Sequence, residues 1–450
     1  MKKTGLILLF VLFSSCATFH HIPLTQKKVS AALFSPDLTK ITKLKKGLSP
    51  KEIASLAISY NRKLKIERDK NSIEQAVLIE SGMFSNPEIS FDIQHPSGGN
   101  TKGTINAYDI GASWSSDKLF THGLYENISK LKLSKLNLEL AWKEWQVAEQ
   151  AKQFTYALIF IRKKIKKNKL LVNNINAFMK DIQKNVSLGL LPESSYFDLQ
   201  QKSLSLKKTL YKLKNEYFNN EIKLKKLINF PYNKKLILSD NMPNFGKIAI
   251  RDYKTLDKNI AENRIDVIAL KKAYESNETA LKAAIMEQFP AIVISFTQSR
   301  DNGNLYTIAP GVSISLPIFN HNQSKIAELR ANRRKLFDEY VYRIYSARIN
   351  IFKIYKLIER RKKLIELTKQ YILNLKNKIK NYEHILKMGE GSIVSFNHLK
   401  NMAIEEDIRL IDEQWAFTKL LTALEIETGK NLSSLIESKK SVKSHARSIK

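Results

Sequence analysis

The residues that most often carry chemistry in proteins are few and scattered in this sequence. One cysteine among 450 residues excludes an intramolecular disulfide and any zinc or iron–sulfur site built from several thiolates. The eight histidines include the adjacent pair His20 and His21, and two neighbouring imidazoles do not by themselves form a coordination shell. The sequence has no HExxH pair, no glycine-rich phosphate loop and no GxSxG nucleophile elbow. It therefore predicts a protein that is not an enzyme and holds no metal ion or cofactor.

The one cysteine, Cys16, follows a segment typical of exported proteins. Residues 1–15 place two lysines before a short apolar run and end on two serines, the layout of a secretory signal peptide. Residues 13–16, FSSC, resemble the lipobox of bacterial lipoproteins, with phenylalanine where leucine is usual. That resemblance implies an acylated Cys16 at the mature N-terminus, and Ala17 in place of an aspartate implies sorting to the outer membrane. Cleavage nearby without lipidation is the alternative.

Composition points to long helices and a basic surface. The chain has 75 lysines and arginines against 43 acids, a formal net charge of +32, and 43% of its residues are hydrophobic, enough to build a core. Only 15 glycines and 11 prolines punctuate it, which favours long helices. An exported protein meets little nucleic acid, so nucleic acid is not expected as a partner. The excess charge is interpreted as solvated, lysine-rich helix faces.

The sequence repeats itself at a spacing of 200 residues. Gly111 and Gly311 occupy equivalent positions, as do Gly189 and Gly389, and each glycine of the first pair is followed by serines at two and four residues. The chain is therefore predicted to be two tandem copies of a helix, strand, strand, long helix, helix unit. The predicted organisation is a signal peptide (1–15), a lipidated linker (16–48), a first repeat (49–229), a connecting equatorial segment (230–262), a second repeat (263–429) and a basic disordered tail (430–450).

Each repeat contains two segments with the alternating pattern of a two-faced strand. In the first, Ile89, Phe91 and Ile93 are apolar and the residues between them are polar. Strands of this length cross an outer membrane when tilted, for which about 9 to 11 residues suffice. The predicted strands cover about residues 87–94, 104–115, 290–298 and 305–318.

Two uninterrupted helices follow the strands. Neither proline nor glycine occurs in residues 124–186 or 324–387, and some 60 helical residues extend roughly 90 Å. Hairpin tips are predicted at about 186–192 and 387–392. The helix after the first tip is predicted to form a coiled-coil seam from residues spaced alternately by three and four. These are Leu199, Ser203, Leu206, Leu210, Leu213, Tyr217, Asn220, Leu224 and Leu227.

A single chain offers too few strands to close a barrel. Every backbone amide in lipid must be paired, and an open sheet of four strands leaves two unsatisfied edges. Several copies must therefore share one barrel. Two copies give eight strands and a plugged interior, whereas three give twelve and room for an aqueous lumen.

These segments resemble the TolC-type outer-membrane efflux proteins over about residues 48–429. The resemblance is carried by LSPKEIASLAISYNRKLKIERDKNSIEQAVLIESGMFSNPEIS from Leu48, by NRIDVIALKKAYESNETALKAAIMEQFPAIVISF from Asn263, and most specifically by GVSISLPIFNHNQSKIAELRANRR from Gly311. It implies a mostly α-helical homotrimer, lipid-anchored in the outer membrane of a Gram-negative-type bacterium. A 12-stranded β-barrel would continue into an α-helical coiled-coil tunnel in the periplasm. A periplasmic membrane-fusion adaptor would join it to an inner-membrane transporter, most simply of the RND type.

The resemblance also assigns roles to the hairpin tips. In the family, glycine-containing turns at the periplasmic tips contact the adaptor. The corresponding residues here are Leu188, Gly189, Leu190, Met388, Gly389, Glu390 and Gly391. The alternative is that the glycines only reverse the chain.

The family narrows its tunnel with acidic residues beyond the second tip, and this sequence lacks them. Ser395 and His398 stand at those positions, and Glu193 and Asp198, after the first tip, are the nearest acidic candidates. A solvated helix surface is the alternative for both. The sequence thus predicts an outer-membrane channel that passively conducts substrates from a pump and adaptor to the exterior. The alternatives are a lipid-anchored periplasmic coiled-coil scaffold and an outer channel for type I protein secretion. It does not indicate the cargo.

Overall fold

The computed structural model describes residues 18–33, 47–240, 242 and 248–436. The predicted signal peptide and Cys16 lie outside the described residues, as do parts of the predicted linker and connecting segment and most of the predicted tail.

The described residues are mostly helical, with one four-stranded sheet. In chain order the elements are α1 (Gln26–Leu33), α2 (Pro50–Tyr60), α3 (Arg62–Ser81), β1 (Glu88–Gln94), β2 (Ala107–Ser115), α4 (His122–Ser187), α5 (Ser194–Leu227), α6 (Tyr253–Asp257), α7 (Ile260–Asn263), α8 (Ile265–Met286), β3 (Ile292–Arg300), β4 (Tyr306–Ile314), α9 (Gln323–Lys387), α10 (Ile393–Thr428) and α11 (Leu432–Leu435). Among these helices, none has the length and apolar content needed to cross a membrane.

Local side-chain chemistry sets where the first helices begin and end. Ser49 and Glu52 form a capping box at the start of α2, in which the Ser49 backbone N–H donates to Glu52 Oε2 at 2.7 Å. Asn61 separates α2 from α3. Its side chain caps α3 by accepting the Leu64 N–H at 3.1 Å and donates to the Leu227 carbonyl at 2.8 Å. These bonds fix the junction between α2 and α3 against the end of α5.

The predicted tandem repeat is confirmed by the element order. Helices α4 and α9 contain 66 and 65 residues, which corresponds to about 100 Å each, and α5 and α10 return from them. Gly189 and Gly389 reverse the chain with φ of 71° and 82°, in the left-handed region that favours glycine. The last strand ends at Ile314, short of residue 318, because Pro317 cannot donate to a sheet and the Ile318 N–H turns back to Leu316.

The long helices form an open layer. Near the strands, α4 packs between α3 and α8, and α9 packs on α8. Towards the tips, α5 packs mainly on α4, α4 on α10 and α10 on α9. Helices α5 and α9 are therefore the two edges of this layer. Equivalent apolar cores lie where α5 and α10 end, around Leu158 and Leu224 in the first repeat and around Ile351 and Phe417 in the second.

The sheet is antiparallel with its strands in chain order, β1-β2-β3-β4. The two repeats meet at its centre, where β2 pairs with β3 and Ala112 lies opposite Phe296. Strands β1 and β4 each have one neighbour among the described strands. The sheet, like the helix layer, is thus open at both sides.

Candidate functional site

One face of the sheet is apolar and exposed. The register places the alternating residues of all four strands on a common face. Ile89 and Val312, on the two outer strands, are 82% and 70% exposed. Apolar patches of this extent mark contact with lipid or with a partner. The larger apolar side chains on this face are Ile89, Phe91, Ile93, Tyr108, Ile110, Trp114, Ile292, Ile294, Phe296, Tyr306, Ile308, Val312 and Ile314. Two polar residues, Gln298 and Arg300, share this face at one end of the sheet.

The opposite face is polar and built from small residues. Its polar and small members are Glu88, Ser90, Asp92, Gln94, Ala107, Asp109, Gly111, Ser113, Ser115, Ser295, Thr297, Ser299, Thr307, Ala309, Gly311 and Ser313, with Val293 among them. Gly111 lies opposite Ser90, and Gly311 lies opposite Ser295. A Cβ at either glycine would come within 2.6 Å of the serine Oγ. The same close contact with a serine hydroxyl occurs in each repeat, at glycines 200 residues apart.

The outer side of α5 carries an apolar stripe that no helix of the layer covers. Its residues recur every seven positions, as in a coiled coil, and are between 51% and 66% exposed. The stripe consists of Phe197, Leu204, Tyr211 and Phe218. The opposite edge, α9, also exposes apolar side chains at helical spacing, namely Phe337, Val341, Tyr345, Ile349, Phe352, Leu364, Leu367 and Tyr371.

The seam predicted on α5 lies on its packed side. Leu213 and Leu224 are buried, and Leu199 packs against an apolar cluster that contains Leu171 of α4 and Ile404 of α10. The polar residue Ser203 is also buried, and its hydroxyl lies 2.6 Å from the Asn176 side-chain oxygen on α4. The other polar interruption, Asn220, donates to the backbone of its own helix. Helix α5 therefore has one apolar face that packs within the chain and a second apolar face that stays exposed.

Both hairpin tips expose apolar side chains around glycines. Leu188 and Leu190 are 62% and 68% exposed, and Met388 is also exposed. Gly391 packs against Tyr382, whose hydroxyl accepts the backbone N–H of Ser392 at 3.2 Å. Each turn is bonded to the helix before it, through the Leu190 N–H to the Asn185 carbonyl at 2.9 Å and the Glu390 N–H to the Ile385 carbonyl at 3.1 Å. Both tips therefore hold their exposed apolar side chains on a defined turn.

The four residues considered for a constriction are separate within one chain. Glu193, Asp198, Ser395 and His398 are all exposed. The Ser395 backbone N–H bonds to Ser392 Oγ, capping α10. Among the hydrogen bonds and ion pairs of the described residues, none joins the first-hairpin pair to the second-hairpin pair. The chain by itself does not assemble them into a site.

No family model matches the sequence, and no curated protein does. Several solved structures match the chain. CusC, from structures of its folding and transmembrane channel formation, superposes with a TM-score of 0.70 at 14% identity, over 87% of this chain and 96% of CusC. The outer-membrane protein VceC of Vibrio cholerae gives 0.67 at 14% identity, over 85% and 96% of the two chains. The Campylobacter jejuni CmeC outer-membrane channel gives 0.68 at 13% identity, over 96% and 93%.

The chain has the TolC-type channel fold. At these identities the likeness establishes the fold, which agrees with the architecture predicted from the sequence.

In this TolC-type fold, a buried ion-pair cluster joins the start of α8 to the end of α10. Arg264 contacts Asp266 at 2.8 Å and Glu427 at 2.7 Å, and Arg343 of α9 also reaches Asp266 at 2.8 Å. Burial raises the pKa of Asp266, but hydrogen bonds and attraction from Arg264 and Arg343 outweigh it and hold that pKa below its usual range. The cluster is structural, because it lies between helices of the second repeat.

A second buried cluster joins the two repeats where α4 meets α10. Glu149 is 1% exposed, and Lys152 bridges it at 2.5 Å to Glu425 at 3.4 Å. Burial, and then repulsion from Glu425, raise the pKa of Glu149 to about 7 although Lys152 opposes them. Burial, followed by the two acids, raises the pKa of Tyr156 to about 12. Sequence reasoning missed this cluster, since nothing in the pattern links residues so far apart in the chain.

Within the described residues, no three His, Cys, Asp or Glu side chains are grouped so that they could hold a metal ion.

Proposed function

We propose that this protein is the outer-membrane channel of a tripartite efflux system. Three copies would close a twelve-stranded barrel that continues into an α-helical tunnel. The channel would passively conduct substrates delivered by an inner-membrane transporter, most simply of the RND type, and a periplasmic adaptor. The observation that carries this proposal is that the chain is open at both sides, in the sheet and in the helix layer, with faces suited to closure by its own copies.

The sheet supports closure in lipid. Its exposed apolar face suits contact with hydrocarbon, and its small polar face suits an aqueous lumen. Strands β1 and β4 would leave unpaired backbone groups at the edges of an isolated sheet, which lipid does not tolerate. Pairing β4 of one copy with β1 of the next satisfies both edges, and three copies leave room for a lumen.

The helices support closure at the tunnel. Each copy has uncovered apolar side chains on α5 at one edge and on α9 at the other. Packing α5 of one copy against α9 of the next would bury both. Burying the exposed half of the four α5 side chains contributes about 1 kcal/mol each, so on the order of 4 kcal/mol for each contact between copies before any contribution from α9.

The proposed partner contacts involve the hairpin tips and Cys16. Exposed Leu188, Leu190 and Met388 suit docking of the adaptor at the hairpin tips. Glu193, Asp198, Ser395 and His398 would line the narrow end of the tunnel once three copies bring them around one axis. Acylation of Cys16 would anchor the chain in outer-membrane lipid.

A periplasmic scaffold fits the observations less well, because it has no use for a sheet with an exposed apolar face. Type I protein secretion would use the same channel with a different inner-membrane partner. The shape of the chain serves both kinds of export, and no catalytic group is needed for either.

Two single lysine substitutions at adjacent positions of β3 test the proposal. Phe296 lies on the apolar face, whereas Thr297 lies on the polar face opposite the small residues Gly111 and Ala309. A lysine facing lipid costs about 2 to 4 kcal/mol near the bilayer midplane. Phe296→Lys should therefore prevent insertion of the purified full-length protein into planar bilayers. Thr297→Lys should still insert and should lower the permeability to cations relative to anions.

Stepwise conductance of the unmodified protein is the reference for both variants. Equal behaviour of Phe296→Lys and Thr297→Lys, or absence of conductance from the unmodified protein, would contradict the channel assignment.

A further inference from the structure

Helix α4 carries a dense basic segment whose charges are only partly neutralised. Residues 162–169, RKKIKKNK, contain six lysines and arginines. Arg162 pairs with Asp240, Lys164 with Asp412 at 2.8 Å and Lys167 with Asp407 at 2.5 Å. The other three, Lys163, Lys166 and Lys169, have no carboxylate partner among the described residues.

These three lysines border a cavity between α4 and α10. The cavity has a volume of about 600 Å³, and its apolar surface is formed by Leu170, Leu410 and Ile411. Its one acid, Asp407, is already engaged by Lys167. The cavity therefore combines an apolar floor with a positive rim.

The size of the cavity fits a small ligand. It follows α4 from residue 163 to residue 173, about 15 Å at 1.5 Å per residue. At one end, Lys163 Nζ lies 2.6 Å from the Met242 sulfur, and at the other end α4 continues towards the tip with exposed Lys180. The volume lies within the usual range for small-molecule sites, roughly 300 to 1,000 Å³.

Assembly would leave the cavity accessible. Helices α4 and α10 are the inner members of the helix layer, and the uncovered apolar stripes that suit contact between copies lie on α5 and α9. A neighbouring copy that contacts α5 or α9 through these stripes would therefore leave the cavity uncovered.

We propose that this cavity binds an amphipathic anion, specifically a fatty-acid-like carboxylate with one negative head and a single apolar chain. The carboxylate would lie between Lys166 and Lys169, and the chain would lie along Leu170 and Leu410. The positive rim gives the preference for an anion, and the floor gives the preference for an apolar chain. This binding site does not depend on the channel function.

The test is equilibrium binding of radiolabelled dodecanoate to the full chain in phosphatidylcholine nanodiscs, with empty nanodiscs subtracted. Saturable binding of one dodecanoate per chain is expected. Lys166→Glu/Lys169→Glu should weaken it at least about tenfold, because both lysines become repulsive. The control is Lys180→Glu/Lys184→Glu, which makes the same charge change at exposed positions of α4 outside the cavity and should change the affinity less than about twofold.

A competing ligand of opposite charge distinguishes recognition of the carboxylate from non-specific binding of an apolar chain. Dodecyltrimethylammonium, which has the opposite charge and a similar chain, should not displace dodecanoate. Displacement by the cation, an equal loss in both double variants, or no saturable binding above empty nanodiscs would each overturn the proposal. Helical circular dichroism of each variant verifies that it is folded, and Lys166→Gln/Lys169→Gln, which removes charge without reversing it, should give an intermediate loss.

Discussion

Replacing Glu149 by glutamine is expected to stabilise the protein above about pH 7 and to change its stability little near pH 5. Burial and Glu425 raise the pKa of Glu149 to about 7 in the folded chain, against 4.5 as the ordinary value. The folded state therefore holds this proton more tightly than the unfolded state. The stabilisation of the folded state by this bound proton is complete below about pH 4.5 and is lost as the pH rises to about 7. Glutamine stays neutral at every pH and removes this loss.

The size of the effect follows from the two pKa values. One pKa unit corresponds to about 1.4 kcal/mol, so the interval from 4.5 to about 7 amounts to roughly 3 kcal/mol of unfolding free energy. Lys152 keeps Glu425 as a partner in the variant, so no buried charge is left alone. The difference between variant and wild type should therefore grow between about pH 4.5 and about pH 7 and stay constant above that.

The assay is guanidinium unfolding of the detergent-solubilised protein, followed by helical circular dichroism at about pH 5 and about pH 8. The matched control is Glu359→Gln. Glu359 also pairs with a lysine three residues away, Lys356 at 3.0 Å, but its side chain is 47% exposed. Hydrogen bonding from Lys356, offset in part by burial, lowers the pKa of Glu359, so its carboxylate is ionised at both pH values. The control should therefore lose less than about 1 kcal/mol, by about the same amount at pH 5 and at pH 8.

Two results would refute this reasoning. One is a Glu149→Gln variant no more stable than wild type at pH 8. The other is an equal stabilisation at pH 5 and pH 8, which would show that packing and not charge is responsible.

Five further substitutions test the hairpin tips, one edge of the helix layer and two closely packed glycines. Tryptophan at Gly189 or Gly389 should leave assembly intact and abolish export, measured as cellular accumulation of a pump substrate; normal export by both would rule out docking at the tips. Tyr211→Asp puts a charge into the α5 stripe, so light scattering should find fewer multi-chain particles, and an unchanged particle mass would remove α5 from the contact between copies. Gly429→Ala should destabilise the chain by about 2 kcal/mol, because φ is 67° and a Cβ would lie 2.7 Å from a backbone oxygen of α7. Gly111→Ala should cost less than about 1 kcal/mol, since the serine hydroxyl it approaches can rotate away; equal losses in the two unfolding curves would contradict this distinction.

Much of the fold could be predicted because its signals are local. Alternation at Ile89, Phe91 and Ile93 marks a strand by itself, and the absence of proline and glycine marks a long helix. The repeat follows from residues that can be compared directly along the chain. The break at Asn61 was less visible, because its side chain bonds to the Leu227 carbonyl, far away in the sequence.

The candidate surfaces were predictable only in part. The seam of α5 is visible as a three-and-four spacing, but its second apolar stripe, which includes Tyr211, is recognised only once packing shows which face is uncovered. The cluster of Glu149, Lys152 and Glu425 depends on how α4 crosses α10, and no local pattern encodes that crossing. The basic segment around Lys166 is plain in the sequence, whereas two of the three floor residues, Leu410 and Ile411, come from a helix more than two hundred residues away.

The mass of the extracted particle tests most directly whether identical copies of the chain close one pipe. Light scattering of the protein purified in a neutral detergent, with the detergent mass subtracted, should give three chains of about 52 kDa each. A uniform population of single chains, with the sheet intact by circular dichroism, would contradict closure by identical copies.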